Sequence, residues 1–543
     1  MAPIHRENRS ERSARIKTQP CSPHAAKIFN RAADWLLKYR YPLLCLAVFA
    51  LMAMHTRNQQ WLGDFWEHSA VVRELITHPL HPEHPQLLLP APHAFYSPYS
   101  LIVALLARVF SLDAISALSV MGMINLGLLL LGLRMFVLTL SSRHPEAAAF
   151  YTLLLTLFLW GADAWLFSGF FHIANLGFVL PYPSTFAIAL ALVAFGLHRL
   201  QIKSKRKIDF LPVFLIAVVI LISHPISCVF LAAGLVSQSI LLRDFARSQT
   251  LWIGALLAAA SLAAVCWPYY PVPAFFIREA DVYHSSNYPM YQNVFGRIWP
   301  SLAAIPLLFL DIKSNKIRPL YLMLAILSGI YLFGVFTQRY SYGRMISFMV
   351  LLLHILIAEH LASLEAWARD RHRSKGYIRL AVPMAVTSLA LLLSFSPLKS
   401  TLERVFFPPP STVQAYRFLS QYTGQYDVVL SDLQSSWIIP TFGGKVIAAD
   451  HPLAFVPDHE NRQADLERFF KPETTHPERL QIARKYSADY LLLNKLNQPG
   501  WQNLLQSFSA EGEVVYDDDN FALIFLNQAH TSTGARGQTG DRT

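Results

Sequence analysis

Leu-, Ala- and Phe-rich blocks of about twenty residues, parted by short polar stretches, fill the chain from residue 36 to residue 397. A helix rising about 1.5 Å per residue needs roughly that length to cross a hydrocarbon core about 30 Å thick. The pattern predicts a polytopic α-helical membrane protein with eleven spans, near 36–55, 113–139, 147–168, 177–198, 210–223, 226–242, 250–269, 299–311, 319–337, 345–363 and 379–397. The run Tyr99–Phe110 is too short to cross and is expected to lie along the membrane surface. After residue 398 the pattern changes. Ser411 or Thr412 can cap a helix running to Tyr422, Tyr426–Ser431 reads as a buried strand, Pro477–Lys485 as a helix and Asp489–Asn494 as the next strand. Glu513–Tyr516 and Phe521–Leu526 complete a small α/β domain over 398–528 with a partly parallel sheet. Residues 1–34, a basic tail, and 529–543, rich in Thr, Gly, Ser and Gln, are expected to be disordered.

Composition sharpens the membrane assignment, because 53% hydrophobic against 15% charged residues among 543 excludes a wholly soluble chain. The net charge of +11 does not point to nucleic acid, since the Lys and Arg residues are scattered through inter-helix loops instead of gathered on one face. With the tail on the cytoplasmic side, the alternating loops hold 25 Lys and Arg on that side against 7 on the other. Eleven crossings then carry the C-terminal domain to the outer face. If Tyr99–Phe110 also crossed, the basic stretch Lys203–Lys207 would be outside, which supports the surface placement. The tail lacks the short apolar stretch and cleavage site of a removable signal peptide, so the first apolar run is read as an anchor. Cys21, Cys45, Cys228 and Cys266 form neither a disulfide framework nor a CxxC metal motif.

Chemistry concentrates in the first outer loop, 56–112, whose polar part is about forty residues and much longer than a simple connection needs. Helical spacing puts Asp64, Glu67 and His68 on one face beside Phe65 and Trp66, and Glu74 follows two turns later. A carboxylate at a half-dry interface gains basicity and suits proton abstraction. The plain alternative is that Asp64 caps the helix while Glu67 and His68 form its solvated face. His78, His81, Glu83 and His84 are zinc-type ligands, but the intervening prolines keep them extended, so no metal is assigned and a divalent ion is not required. Elsewhere Arg339 and Arg344, with Tyr342, could clamp a phosphate at the interface. Asp163, read as a buried acid, and His172 lie near the outer end of the third span, His224 in the turn before Pro225, and Asp281 in the loop after the seventh. No nucleotide-binding glycine motif was found.

The basic tail, anchor helix, acidic first loop, surface helix introduced by Tyr96-Ser-Pro-Tyr99, His224-Pro225 and Tyr342-Gly-Arg344 together resemble the GT-C superfamily of polyprenyl-phosphate-sugar-dependent membrane glycosyltransferases. Asp427-Val-Val-Leu430, Ile439–Lys445 and Ala483–Leu493 are similar to the C-terminal domains of bacterial members. The resemblance implies an inverting transfer of sugar from a polyprenyl-phosphate carrier to a glycan or lipid acceptor at the outer face of a bacterial inner membrane. Asp64 would be the general base, with Glu67 and Glu74 as competitors, and Arg339 or Arg344 would hold the leaving phosphate. The partners implied are that donor, the acceptor and membrane lipids. A transporter or lipid flippase is the alternative from another class, and an O-antigen polymerase or ligase a further one.

Overall fold

The computed structural model describes residues 23–140, 144–204, 210–241, 246–310, 318–371 and 376–526. The tails 1–22 and 527–543 and most of the Lys203–Lys207 stretch lie outside them. Five described helices are long and apolar enough to cross a membrane: Asn30–Arg57, Ala114–Leu140, Pro183–Gln201, Arg318–Phe336 and Tyr340–Arg371. The helices Leu380–Leu393 and Phe395–Phe406 are long and apolar enough only together, and they are bent by 74° as in a broken span or a re-entrant loop. The bend falls at Ser394, whose hydroxyl donates to the Phe158 carbonyl. The other apolar helices, among them Pro145–Phe158, Phe210–Ser223 and Pro225–Leu241, have 10–17 residues. Fourteen residues reach about 21 Å, short of the hydrocarbon core, so the count of eleven spans is not confirmed, although Phe210–Ser223 and Pro225–Leu241 fall where two of them were expected. The chain is an integral membrane protein by these helices.

Two expected helices are broken for visible reasons. The run 147–168 stops at Phe158, because the Gly161 amide bonds to the Arg297 carbonyl at 2.8 Å instead of continuing the helix. The run 177–198 is divided by Pro181 and Pro183 into Ile173–Val179 and Pro183–Ser204. The helices Ala114–Leu140 and Pro183–Ser204 approach closely at Gly132, where a Cβ would lie 2.7 Å from the Ala189 carbonyl oxygen.

We label the anchor helix α1 (Pro23–Arg57), the first-loop helix α2 (Phe65–Thr77) and the surface helix α3 (Pro98–Phe110). Ser97 caps α3 with a reciprocal bond to Ser100, Pro98 sits at its first position, and Ser111 ends it in a left-handed conformation. One face buries Tyr99, Val103, Ala104 and Ala107, while Ile102, Leu105, Val109 and Phe110 are exposed. This exposed apolar face on a 13-residue helix suits a lipid interface.

Residues 411–526 fold around five strands, β1 (Val428–Leu430), β2 (Lys445–Val446), β3 (Tyr490–Asn494), β4 (Gly512–Asp517) and β5 (Phe521–Leu526), in the order β2-β1-β3-β5-β4. β1 runs parallel to β2 and β3, while β5 is antiparallel to β3 and β4. Both faces of the central strands are covered, which explains why Tyr490-Leu-Leu-Leu-Asn494 reads as an unbroken apolar run. Leu491 and Leu493 pack with Phe469, Ile482 and Phe508, whereas Leu492 belongs to the cluster containing Val429, Ile439 and Phe521. The free edge of β2 is closed by the first loop: the Val446 amide donates to the Gln86 carbonyl at 2.7 Å, and Leu87 forms a parallel bridge with Val446. The C-terminal segment is thereby joined to the loop that holds the candidate chemistry.

Candidate active site

The chain enters α2 through Gly63, at φ +61°, and Asp64, which occupies the N-cap position without a capping hydrogen bond from its side chain. Freed from capping, the Asp64 carboxylate keeps access to water although protein surrounds it. Glu67 and His68, one turn later, are 2% and 7% exposed, which rules out the solvated-face alternative. They are buried because α2 is covered on both sides. Arg73 donates to the Pro440 carbonyl of the helix Leu433–Phe442 and Thr441 of that helix donates to the Trp66 carbonyl of α2, while His68 stacks on Phe95 at 4.8 Å and lies 5.2 Å from Tyr182.

Arg344 closes the opposite wall. It ends the 3₁₀ turn Tyr340–Arg344, donates from Nε to Asn287 Oδ1 at 2.7 Å and from Nη1 to Ser168 Oγ, and lies over the Phe167 ring. With two donors fixed, the guanidinium is held within electrostatic reach of Asp64. His224, whose Nδ1 is 2.8 Å from Ser227 Oγ, faces both Arg344 and His68. Asp64, Glu67, His68, His224 and Arg344 therefore lie within electrostatic reach of one another and together define the candidate recess.

The two acids differ in electrostatics. Burial raises the Asp64 pKa above the usual carboxylate value and the Glu67 charge adds to this, while Arg344 and His451 only partly offset it. Burial also opposes ionisation of Glu67, but His451 Nε2 at 2.9 Å from Oε2 and His93 Nε2 at 3.2 Å from Oε1 overcome it and hold the carboxyl well below its usual range. Glu67 is a fixed anion between two imidazoles, and Asp64 is a carboxylate poised to take a proton.

The remaining candidates separate. Glu74 is 2% exposed and ion-paired with Lys445 at 2.9 Å, which makes it a strut between loop and sheet. Arg339 is exposed, and Tyr342 packs on Phe333 at 5.8 Å, so neither joins Arg344 in the recess. Asp163 is exposed in the loop after Phe158 and is not a buried intramembrane acid; the early end of that helix removes it from the bundle. His172 is buried, with Nε2 2.9 Å from the Trp165 carbonyl. Asp281 pairs with His284, which braces the turn carrying Arg344 through Ser341. Among the described residues no three His, Cys, Asp or Glu side chains cluster as metal ligands; His84 instead offers its carbonyl to Lys445. Sequence reasoning missed His93, His451, Asn287 and Ser168. One signal was available for His451: Asp450-His451-Pro452 repeats the His-Pro pattern of His224-Pro225, and the proline restrains the histidine backbone to an extended conformation.

No family model matches the sequence, and no curated protein sequence matches it. Solved structures do. ArnT from Cupriavidus metallidurans, bound to undecaprenyl phosphate, aligns with a TM-score of 0.51 over 90% of this chain and 98% of its own at 12% identity. The Archaeoglobus fulgidus oligosaccharyltransferase, tethered with an acceptor peptide, aligns with a TM-score of 0.50 over 85% of this chain and 70% of its own at 13% identity. The chain shares its fold with these two proteins. At these identities the likeness concerns the backbone, and the chemistry of the recess is argued from its own residues.

Proposed function

We propose that the chain is a membrane glycosyltransferase that moves a sugar from a polyprenyl-phosphate carrier to a glycan or lipid acceptor. The observation that carries this reading is an uncapped carboxylate at the start of α2, Asp64, within electrostatic reach of a doubly anchored guanidinium, Arg344. Asp64 takes the proton of the acceptor hydroxyl, and the hydroxyl oxygen forms a bond to the anomeric carbon. The bond from that carbon to the phosphate oxygen breaks, and the phosphate leaves with the electron pair. Arg344 balances the charge developing on it. A single displacement of this kind inverts the anomeric centre. Undecaprenyl phosphate in the ArnT structure is consistent with the carrier class. The loop charge balance supports a site on the outer face of the membrane, and the resemblance supports a bacterial inner membrane.

Mass spectrometry of lipid-linked sugars and envelope glycans, with and without the gene, tests the reading. Cells lacking the gene should accumulate one polyprenyl-phosphate sugar and lose that sugar from an envelope product; unchanged profiles of both would overturn the proposal. A second expectation concerns the carrier. Arg344→Ala should weaken binding of undecaprenyl phosphate by roughly 10- to 100-fold, as loss of a charge-assisted hydrogen bond of about 1.5–3 kcal/mol implies. Arg344→Lys should recover only part of it, because a point charge lacks the fork that Asn287 and Ser168 orient. A titration of the purified protein in detergent checks both.

A further inference from the structure

The segment between β2 and the helix His459–Phe470 runs from the sheet to Glu67, which its His451 meets at 2.9 Å. It is fixed at several points. Gln463 Nε2 donates to the Ala449 carbonyl at 2.8 Å, the Phe455 amide donates to Glu279 Oε2 at 3.0 Å, and Tyr283 contacts the Ala454 backbone. Phe455, at φ +65°, adopts a conformation that a bulky side chain rarely takes, so these bonds determine the path of the segment. At its centre, His451 packs against Trp437, with ring centroids 5.3 Å apart, and presents Nε2 to Glu67 at 2.9 Å. Both of its ring nitrogens are buried and neither meets hydrogen-bond geometry, so its contact with Glu67 is ionic, the one ion pair His451 makes among the described residues.

We propose that His451 is a positioning residue of the transfer site: held by the C-terminal segment, it fixes Glu67 and places a cation beside Asp64, so that the loop and this segment together form the acid-base face. This rests on the assignment of Asp64 as the base. The acids facing His451 are Glu67, Asp64 and Asp450; the other titratable groups around the pair are His68, His84, His93 and His459. Burial works against its imidazolium, but Glu67, with help from Asp64 and Asp450, raises the His451 pKa. His68, pushed down to about 4 by burial, and His84, also lowered by burial, stay neutral near pH 7, which leaves His451 as the cation of this group on the C-terminal side.

The sign of the effect follows. A cation near a carboxylate favours its ionised form, so removing His451 should make Asp64 hold its proton to higher pH. His451→Gln keeps a donor for Glu67 without the charge; His451→Lys keeps a charge without the ring. Transfer is assayed as a function of pH, using the lipid fraction of cells that lack the gene as donor and membranes of the same cells as acceptor. Variants are first matched to wild type by thermal melting. With His451→Gln, the acid limb of kcat/KM should move up by about one pH unit, a roughly tenfold loss below the limb, with recovery above it; with His451→Lys it should stay near the wild-type position. Equal displacement by both variants, a uniform loss across pH, or no displacement by His451→Gln would overturn the proposal. Should His451→Gln not fold, His451→Ala with added imidazole replaces it, and restoration of the wild-type limb by imidazole is the expected result; failure to restore it counts against the proposal. Asp64→Asn runs in parallel. If Asp64→Asn is inactive and His451→Gln is indistinguishable from wild type, this inference fails and the proposed function stands; an active Asp64→Asn removes both.

Discussion

Asp64→Asn is expected to lower the rate of transfer by about 10²- to 10⁴-fold, the usual contribution of a positioned general base, while leaving melting temperature and undecaprenyl phosphate binding near their wild-type values. The separation is expected because Asp64 occupies the N-cap of α2 without a side-chain capping bond, so the helix does not depend on its carboxylate. Asn is as good a residue at that position. The fixed contacts of α2 come from elsewhere, from Arg73 to Pro440 and from Thr441 to Trp66. Carrier binding rests on Arg344, whose anchors are Asn287 and Ser168. The pH dependence has a definite sign. Asp64 acts when deprotonated, and burial together with Glu67 raises its pKa, so activity should rise with pH through a midpoint above the usual carboxylate value. Glu67→Gln removes one of the causes of that elevation and should move the acid limb to lower pH with a smaller loss of rate. If Asp64→Asn kept near-wild-type turnover and Glu67→Gln lost it, the base would lie one helical turn further along.

The contrast between these acids shows where one-dimensional reading stops. The spacing of Asp64, Glu67 and His68 is local, and three or four residues along a helix put side chains on one face whatever surrounds them. Their different chemistry is not local, because it comes from His93 and from His451, which lies in a segment nearly four hundred residues further along. Arg339 and Arg344 looked equivalent in sequence, but a 3₁₀ turn repeats every three residues, and five residues of it turn one side chain outward and the other into the recess. The spans at 147–168 and 177–198 were overextended for a related reason. Apolar composition continues past Phe158, yet the backbone is captured by Arg297 through Gly161, a partner that no window of local sequence contains. Strands β1, β3, β4 and β5 were legible because each is an apolar or alternating run. β2, two residues long, was not, since its identity depends on pairing with Val428 and Val429 on one side and with the first loop on the other.

That first-loop junction carries the second large effect. Glu74 and Lys445 are 2% and 1% exposed and lie 2.9 Å apart, with Lys445 Nζ also donating to the His84 carbonyl at 2.8 Å and Glu74 accepting from Gln425 at 3.1 Å. Breaking a buried pair by removing one partner costs about 3–5 kcal/mol, because the remaining charge has no water to return to. Lys445→Ala should therefore raise the population in which the C-terminal segment lifts from the loop by roughly 10²- to 10³-fold. Limited proteolysis between His78 and His93 measures that population directly. Replacing both partners by apolar residues of similar volume, Glu74→Leu with Lys445→Met, should restore most of the loss. The pH response distinguishes charge from packing. Burial opposes ionisation of Glu74, but Lys445, Gln425 and the Glu83 amide outweigh it and hold its pKa below the usual value. The contribution of Glu74 in the wild type is therefore fully present above about pH 4.3, its unfolded value, and is lost only as pH falls through the lower folded value. In Lys445→Ala the Glu74 carboxylate loses its buried ammonium and keeps only the half-exposed His78, at 3.1 Å, as an ionic partner, so Glu74 should take up a proton at higher pH than in the wild type, and the variant should recover relative to wild type on acidification from pH 7 towards pH 5. A proteolysis difference that stays constant over that range would show that the junction is held by packing and backbone pairing, with no ionic share.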